Sequence, residues 1–531
     1  MSFVTWPYPF FLATVAAMYW ALPLKGRWWL LLVSSYGFYA AWDPRFLALL
    51  LSSTAIDYFC GRGIVDERRP WRHVIAATAL PALWLGTCRL VNVAAPGFPG
   101  LPQVDPRLIG VAALLPAVFL PAYALLWRWS PLRRRKGFVA FSVISNLAVL
   151  GFFKYFNFFS DSLRQLLHAL GASAHWDLPT IVLPVAISFY TFQSISYAVD
   201  IARGQGQPAR QFVLFAAYLA FFPQLIAGPI ERVGRFLPQF ETARAWSRDH
   251  LHQGLALLLT GLFKKVFVAD NCALLTNHVF DPKTPLDAPW ALLGAVAFAF
   301  QIYGDFSGYT DLARGSARLL GIELSSNFRF PYSARGPSDF WQRWHRTLST
   351  WFRDYLYIPL GGNRRSLPRQ LANLWIVMLL AGLWHGANWN FLLWGGYHAA
   401  LLTLYRVVPP LGRLERATSV AGGWLATASM FAFTLFGWVL FRCANLEQLG
   451  HWFGAWTRGG AVGDATAMKP ALWLALHVAP LLLLQWATRR DQDERANAHW
   501  PWPARGLAYA ALVLALVASS SQDQEFLYFQ F

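Results

Sequence analysis

Apolar segments recur along almost the whole chain, and this feature constrains the fold more than any other. A membrane helix needs about 20 mostly apolar residues, and helices satisfy their own backbone hydrogen bonds inside lipid. Candidate segments lie near residues 6–22, 28–42, 46–60, 74–94, 108–127, 138–159, 181–201, 211–229, 251–269, 290–312, 371–385, 389–408, 424–441, 470–487 and 504–519. Several are too short for one perpendicular span, which indicates tilted pairs or re-entrant pieces. We therefore predict an all-α, multi-spanning membrane protein with about 11 to 14 membrane helices.

Composition supports this class of protein and argues against a separate soluble domain. Hydrophobic residues make up 56% of the 531 positions and charged residues only 14%, whereas soluble domains carry about 25% charged residues. The chain also has 27 tryptophans, a residue that favours membrane interfaces. The four cysteines have neither metal-ligand spacing nor the density of a disulfide framework. We predict no metal and a single membrane domain over residues 1–531, with a motif-rich core at 181–445 and C-terminal helices at 470–531.

Basic residues alternate between loops in a way that predicts the orientation of the chain. Lys25 and Arg27 follow the first apolar segment, and the strongly basic loops lie at 61–73, 128–137 and 203–210. Because basic loops stay in the cytoplasm, the N-terminus is predicted to lie outside, in the periplasm of a bacterial cell. The net charge of +18 is explained by this cytoplasmic excess, which also meets anionic lipids. No soluble basic face is visible, so a nucleic-acid partner is not expected.

Charged and aromatic residues alternate through residues 339–357, in the middle of the chain. Such a segment is too polar to span the membrane and too aromatic for a free loop, so we predict an amphipathic helix at the interface. The sequence "IPLGGNRR" at 358–365 ends this helix, since a proline and paired glycines break helical structure. Its arginines favour the cytoplasmic side.

Two histidines are candidates for chemistry. His385 lies inside the apolar stretch "LLAGLWHGANWNFLLWGG" at 379–396, where an ionisable side chain is costly and therefore a functional hypothesis by default. An imidazole titrates at about pH 6.5, so it can act as a general base towards a hydroxyl group. A buried structural histidine remains an alternative for His385. So does a Ser–His–Asp relay, although the chain has no G-x-S-x-G turn. His345 has arginine-rich surroundings that favour a structural or donor-binding role.

Four further polar residues stand near these histidines in sequence. Asp305 and Asp311 lie in "QIYGDFSGYTDLARG", where we expect a helix end. An interface charge is an ordinary explanation for Asp311, whereas Asp305 lies closer to the apolar run and favours a structural or catalytic hydrogen bond. Asn327 precedes a proline-stiffened turn and is expected to shape the backbone. Asn388 is expected to support a broken helix after His385.

The same segments resemble the membrane-bound O-acyltransferase family, in its bacterial branch. The resemblance rests on "DFSGYTDLARG", on "NFRFPYSARGPSDFWQRWHRTLSTWFRDYLYIPLGGNR" and on "LLAGLWHGANWNFLLWGGYHA". Upstream, "LPVAISFYTFQSISYAVDIARG" and "FFPQLIAGPIERVGRFLPQF" also resemble this branch, as does the aromatic end "EFLYFQF". The resemblance covers residues 1–445 and is most specific over 305–398.

The resemblance implies a fold and a chemistry. The family's near-invariant histidine corresponds to His385 and its more variable motif histidine to His345. The family fold is a ring of helices around a central tunnel, which joins a cytoplasmic donor to an acceptor on the far side of a bacterial inner membrane. His385 would deprotonate the acceptor hydroxyl, and Asp305 or Asn388 would orient the imidazole or the thioester carbonyl.

The resemblance also implies the partners of the reaction. The donor is expected to be acetyl-CoA or a phosphopantetheine carrier thioester. Its phosphates would be bound by basic side chains, namely Arg343, Arg346, Arg353 and Lys264. No cofactor is expected to stay bound. The acceptor is expected to be an exopolysaccharide or a periplasmic SGNH-hydrolase-like acetyltransferase. Two rival functions remain: a transporter or flippase, although the chain shows no paired internal repeat, and a non-catalytic scaffold of a polysaccharide secretion complex.

Overall fold

All regular structure in the described part of the chain is helical. The computed structural model describes residues 2–172, 180–226, 228–457, 465–489, 500–519 and 526–527, and no strand occurs within these ranges. This confirms the prediction of an all-α protein. The chain divides into two compact units, one formed by residues 1–251 with 316–324 and the other by 252–315 with 325–531. The single membrane domain stays a prediction.

The first unit is built mainly from helices that begin at prolines or caps. Pro7, Pro106 and Pro131 start three of them, because proline has no N–H to leave unpaired in a first turn. Asp105 also caps the helix that Pro106 starts, by accepting the N–H of Arg107 at 2.8 Å. The helices are α1 Pro7–Ala21, α2 Leu24–Ala40, α3 Leu47–Ile64, α4 Trp71–Ala94, α5 Pro106–Trp127, α6 Pro131–Ala169, α7 Ile187–Arg203, α8 Phe212–Leu219, α9 Phe222–Leu225, α10 Val233–Phe236 and α11 Pro238–Glu241, with a 3-10 turn at Pro44–Phe46.

The second unit contains the segments that carry the candidate site. Its helices are α12 Arg248–Leu262, α13 Asp270–Val279, α14 Ala288–Leu319, α15 Pro337–Arg343, α16 Arg346–Phe352, α17 Leu367–His385, α18 Trp389–Val407, α19 Pro409–Glu415, α20 Val420–Arg442, α21 Leu446–Ala455, α22 Ala465–Ala487 and α23 Trp502–Ala518. The first residues of α12 and the last of α14 belong to the first unit. Two π-helical segments, Phe263–Ala269 and Arg353–Tyr357, and two 3-10 turns, Pro331–Ser333 and Gly362–Arg364, complete it.

Seven of the described helices are long and apolar enough to cross a membrane, which confirms the prediction of a multi-spanning protein. They are α4, α5, α6, α14, α17, α20 and residues Ala467–Ala487 of α22. The total of about 11 to 14 membrane helices stays a prediction. Helix α6 has 39 residues and is therefore about 58 Å long, so it extends beyond a hydrocarbon core of about 30 Å.

Glycines bring α12 and its π-helical continuation into backbone contact with α14. A Cβ on Gly308 would lie 2.8 Å from the carbonyl oxygen of Gly261, and one on Gly304 would lie 2.8 Å from that of Lys264. Small residues at such positions allow helices to approach closely in a membrane protein. The buried ion pairs described below join the same two segments.

Candidate functional site

His385 lies at the last position of α17, inside a cage of aromatic rings. Its ring centroid is 5.0 Å from those of Trp384 and Trp394 and 5.3 Å from that of Phe441, and all three rings stand nearly perpendicular to the imidazole. Only 4% of the residue is exposed. Aromatic rings in edge-to-face contact restrict the orientation of the imidazole.

The helix breaks after His385 because of the residues that follow it. A Cβ on Gly386 would collide with the Phe391 ring, so a side chain is excluded there. Asn388 caps α18 by accepting the N–H of Asn390 at 3.1 Å, and its amide donates to the carbonyl of Ala444 at 3.2 Å. Asn390 donates to the carbonyl of Cys443 at 2.5 Å. The two asparagines thus hold the start of α18, and the orienting role of Asn388 towards the imidazole stays a prediction.

His345 lies at a second break, and here the structure corrects our expectation. The predicted amphipathic helix is instead two short helices, α15 and α16, separated at Trp344 and His345. His345 has φ of 39° and ψ of 54°, in the left-handed region, and it is fully buried. A non-glycine residue in that region stores strain of about 1–3 kcal/mol, which the surroundings must offset. The single-helix prediction failed because helical periodicity does not reveal such a tertiary constraint.

Asn327 supplies much of that constraint. Its carbonyl accepts the N–H of Arg346 at 2.9 Å, its side-chain amide donates to the Thr310 hydroxyl at 3.3 Å, and its side-chain oxygen accepts from the Thr347 hydroxyl at 2.6 Å. These three bonds tie the turn around His345 to α14. The supporting role of Asn327 in the reaction stays a prediction.

The structure brings the two candidate histidines to one indole. The ring of Trp384 lies 5.9 Å from that of His345 and 5.0 Å from that of His385. On its other side, His345 packs edge-on against Phe306 at 4.7 Å. Burial lowers the pKa of His345 to about 3, because a charged imidazolium is poorly solvated there. His345 is therefore neutral at neutral pH.

Asp305 on α14 belongs to a buried ion cluster with residues of other segments, and the predicted helix end at this place is wrong. Helix α14 continues to Leu319. Lys265 lies 2.7 Å from Asp270 and 2.8 Å from Asp305, and Asp305 also accepts the N–H of Leu527 at 2.7 Å. Lys265 offsets part of the charge of the two aspartates in the interior, so Asp305 does not need to end the helix.

Asp311 is also buried rather than placed at an interface. Its carboxylate lies 2.7 Å from the ammonium of Lys264 and 3.3 Å from the guanidinium of Arg314. Both partners are almost fully buried. This corrects the expectation of an interface charge for Asp311. It also makes Lys264 a poor ligand for a donor phosphate, because its ammonium is already paired out of reach of water.

The three candidate donor-binding arginines lie on or next to the short helices α15 and α16. Arg343 pairs with Asp339 at 2.6 Å and donates to the Ser333 hydroxyl at 3.2 Å, so it braces α15. Arg353 pairs with Asp354 at 2.8 Å and is the most accessible, with 60% of its side chain exposed. Arg346 is half-buried. Their role in binding phosphate stays a prediction.

His398 is a buried polar residue that our reading of the sequence missed. It follows Trp394 by one helical turn on α18, and the two rings lie 4.7 Å apart. Trp394 also touches His385, so the two histidines pack against the same indole. The signal was the i, i+4 spacing of Trp394 and His398, which places both on one face of a helix.

The buried partners of the two aspartates were missed as well. Lys265, Asp270 and Arg314 flank or interrupt apolar runs. Charged residues are rare in such places and are usually paired, so their positions could have indicated buried ion pairs. The C-terminal pair Phe526 and Leu527 is buried too, and the Phe526 ring lies 4.2 Å from that of Tyr309. The rest of "EFLYFQF" lies outside the described residues.

Among the described residues, no group of three or more His, Cys, Asp or Glu side chains could hold a metal ion. The arrangement around His385 instead offers one buried imidazole in an aromatic enclosure. Such a group can accept a proton from a hydroxyl, provided that the hydroxyl approaches within hydrogen-bonding distance.

Comparison with known proteins gives this geometry a context. Residues 209–449 match the family model described as the membrane-bound O-acyltransferase family. The chain is 34% identical to a Pseudomonas putida protein named "Probable alginate O-acetylase", over 98% of both chains. It is 32% identical to the peptidoglycan O-acetyltransferase of Helicobacter pylori, over 80% of this chain and 72% of the relative. It is 26% identical to the teichoic acid D-alanyltransferase of Bacillus subtilis, over 48% of this chain and 68% of the relative.

Proposed function

The chain belongs to the membrane-bound O-acyltransferase family, and from this premise we propose how it works. It is a membrane O-acetyltransferase. We propose that it moves an acetyl group from a cytoplasmic thioester to a hydroxyl group on the outer side of a bacterial inner membrane. The observation that carries the proposal is His385 in its aromatic cage, on a helix break within the region that matches the family. A transporter or a scaffold would not explain the match to an acyltransferase family.

The proposed chemistry needs one general base. The neutral imidazole of His385 takes the proton of the acceptor hydroxyl as its oxygen attacks the thioester carbonyl carbon. The resulting tetrahedral species collapses, the carbon–sulfur bond breaks, and the imidazolium returns its proton to the leaving thiolate. The products are an acetyl ester and a free thiol, so the histidine is regenerated and no metal or redox step is needed.

The residues around His385 would position it. Trp384 and Trp394 restrict the tilt of the ring, and His345 supports Trp384 from the other side. Because burial keeps His345 neutral, we assign it a packing or hydrogen-bonding role rather than binding of a donor phosphate. Asp305 is engaged by Lys265, which favours a structural role over direct contact with the thioester.

The donor would be acetyl-CoA or a carrier-protein thioester, since both present a phosphopantetheine arm. Arg353 and Arg346 are the better placed of the candidate phosphate ligands, because Arg343 braces α15 and Lys264 is buried against Asp311. Guanidinium groups bind phosphates through paired, charge-assisted hydrogen bonds.

The acceptor would be an exopolysaccharide or a periplasmic SGNH-hydrolase-like partner that passes the acetyl group on to the polymer. The relatives named for alginate and peptidoglycan point to a polysaccharide hydroxyl as the final acceptor. The outward N-terminus is part of the same proposal, because the basic loops at 61–73 and 128–137 would then face the cytoplasmic donor.

The test is a substitution at His385 in membranes supplied with labelled acetyl-CoA. We expect His385→Ala to abolish transfer of label to the extracellular polymer, a loss of at least about 100-fold for a general base, with unchanged membrane abundance. His73→Ala, at an exposed histidine, is the matched control and should keep full activity. Normal acetylation by a well-folded His385→Ala variant would contradict the proposal.

A further inference from the structure

A buried carboxylate in the first unit has no opposite charge beside it. Asp57 lies on α3 with 0% of its surface exposed. Its oxygens accept from the Ser142 hydroxyl at 2.6 Å and from the Asn146 amide at 3.0 and 3.1 Å, both on α6. The Asn146 amide also donates to the carbonyl of Ser142 at 2.9 Å. Within the described residues, Asp57 forms no ion pair with a lysine, arginine or histidine.

The negative charge of the Asp57 carboxylate has to be balanced. Neutral donors lower the cost of burying a carboxylate, but the cost stays large unless the charge is paired or neutralised. The ionisable neighbours that interact with Asp57 are Cys60 and Tyr197. A thiol and a phenol are neutral or negative at any pH, so neither supplies a positive charge. The junction therefore requires either a proton or a cation.

Two oxygen atoms on the helices that pack against α3 also lack hydrogen-bond partners among the described residues. They are Asn146 Oδ1 on α6 and the Thr191 hydroxyl on α7. Both residues are buried, and the buried hydroxyl of Ser194 on α7 forms a hydrogen bond with the Asp57 carboxyl. Thr191 and Ser194 are three residues apart, which places them on one face of α7. A bound ion or water is one explanation for buried polar atoms without partners.

We propose that this junction of α3, α6 and α7 is a sodium site. Its ligands are the Asp57 carboxylate, the amide oxygen of Asn146 and the hydroxyls of Thr191 and Ser194. An all-oxygen ligand set suits a hard cation rather than a transition metal. One carboxylate balances one positive charge, whereas a divalent ion would leave a net charge in an apolar interior. The site goes beyond the acyl-transfer reaction, because none of its ligands belongs to the candidate catalytic residues.

The ion would act by joining three helices. It gives partners to two unsatisfied oxygens and balances the charge of the Asp57 carboxylate, so its binding stabilises the folded state. A ligand that binds only the folded state raises the melting temperature as its concentration increases, and the increase continues with the logarithm of concentration. The expected signature is therefore a sodium-specific gain in stability.

The experiment compares the melting temperature of the purified full-length protein in NaCl and in choline chloride at equal ionic strength. We expect the wild-type protein to melt at least about 1 °C higher in sodium, which corresponds to about 1 kcal/mol for a chain of this size. Asp57→Asn should remove the difference. Equal melting temperatures of the wild-type protein in both salts would overturn the proposal and indicate that Asp57 holds a proton.

A milder substitution guards against a misfolded Asp57→Asn variant. Thr191→Val keeps the shape of the side chain and removes only its hydroxyl, so we expect folded protein that needs at least about tenfold more sodium for the same gain in melting temperature. Thr87→Val is the control, because the Thr87 hydroxyl donates to its own helix at Leu83, and its sodium response should match the wild type. An unchanged sodium response in Thr191→Val would overturn the assigned ligand set.

Discussion

At the scale of single residues, the stability of this protein should depend on the protonation of His345. Its folded-state pKa is lowered from 6.5 to about 3 by burial. The unfolded chain therefore binds a proton at mildly acidic pH that the folded chain does not. The free energy of folding that neutral His345 contributes is fully present above pH 6.5. This stabilisation is lost as the pH falls towards 3, the approximate pKa of His345 in the folded protein. One proton produces a slope of at most about 1.4 kcal/mol per pH unit.

The check is a series of thermal melts between pH 7 and pH 4. We expect His345→Asn, which tolerates positive φ, to lose less stability on acidification than the wild type over that range. His168→Asn should behave like the wild type, because His168 is exposed on α6. If His345→Asn and the wild type lose stability in parallel, His345 is not the buried neutral group that the structure shows.

At the scale of helices, hydropathy predicted some elements well and missed the breaks that matter most. The segments expected at 371–385 and 389–408 are α17 Leu367–His385 and α18 Trp389–Val407, because apolar length and the intervening glycine and asparagine are local signals. The break at His345 was missed because Asn327 imposes it from a distant segment. The roles of the catalytic candidates came from resemblance, since spacing alone left His385 open.

Helix α14 was misread for a similar reason. Asp305 and Asp311 look like a helix end when the sequence is read locally, and only their pairing with Lys265 and Lys264 on another segment allows the helix to continue. Sequence also gives no direct sign that two glycine-lined backbones touch at Gly261 and Gly308. The buried ion pairs and this close contact support each other, because the short distance between the helices lets lysine and aspartate meet.

The contact between α12 and α14 at Gly261 and Gly308 leads to a prediction for the stability of the protein. Gly308→Ala should destabilise the protein by about 1–3 kcal/mol, because a Cβ would lie 2.8 Å from the carbonyl oxygen of Gly261 and force the helices apart. Gly110→Ala on α5 is the matched control, since a Cβ there meets nothing within 4 Å. Thermal melts of both variants test this, and equal melting temperatures would show that α14 can move away from α12 at no cost.

At the scale of the whole molecule, the orientation in the membrane rests on the basic loops and can be read out by cysteine labelling. All four native cysteines are buried, so they give little background with a membrane-impermeant maleimide. Pro99 and Lys136 are both exposed. Pro99 lies in the loop before α5 and Lys136 near the start of α6, and these two segments are predicted to face opposite sides. The helix between them, α5, is one of the candidate spans, so one membrane crossing separates the two positions.

We expect Pro99→Cys to react in intact cells and Lys136→Cys only after the membrane is permeabilised. The reason is electrostatic. Anionic lipids and the membrane potential keep the basic start of α6 on the cytoplasmic side, whereas the weakly charged loop before α5 can be moved across the membrane. Labelling of both variants in intact cells would contradict a membrane-spanning α5. The reverse pattern, with Lys136→Cys reactive in intact cells and Pro99→Cys protected, would contradict the predicted orientation of α5.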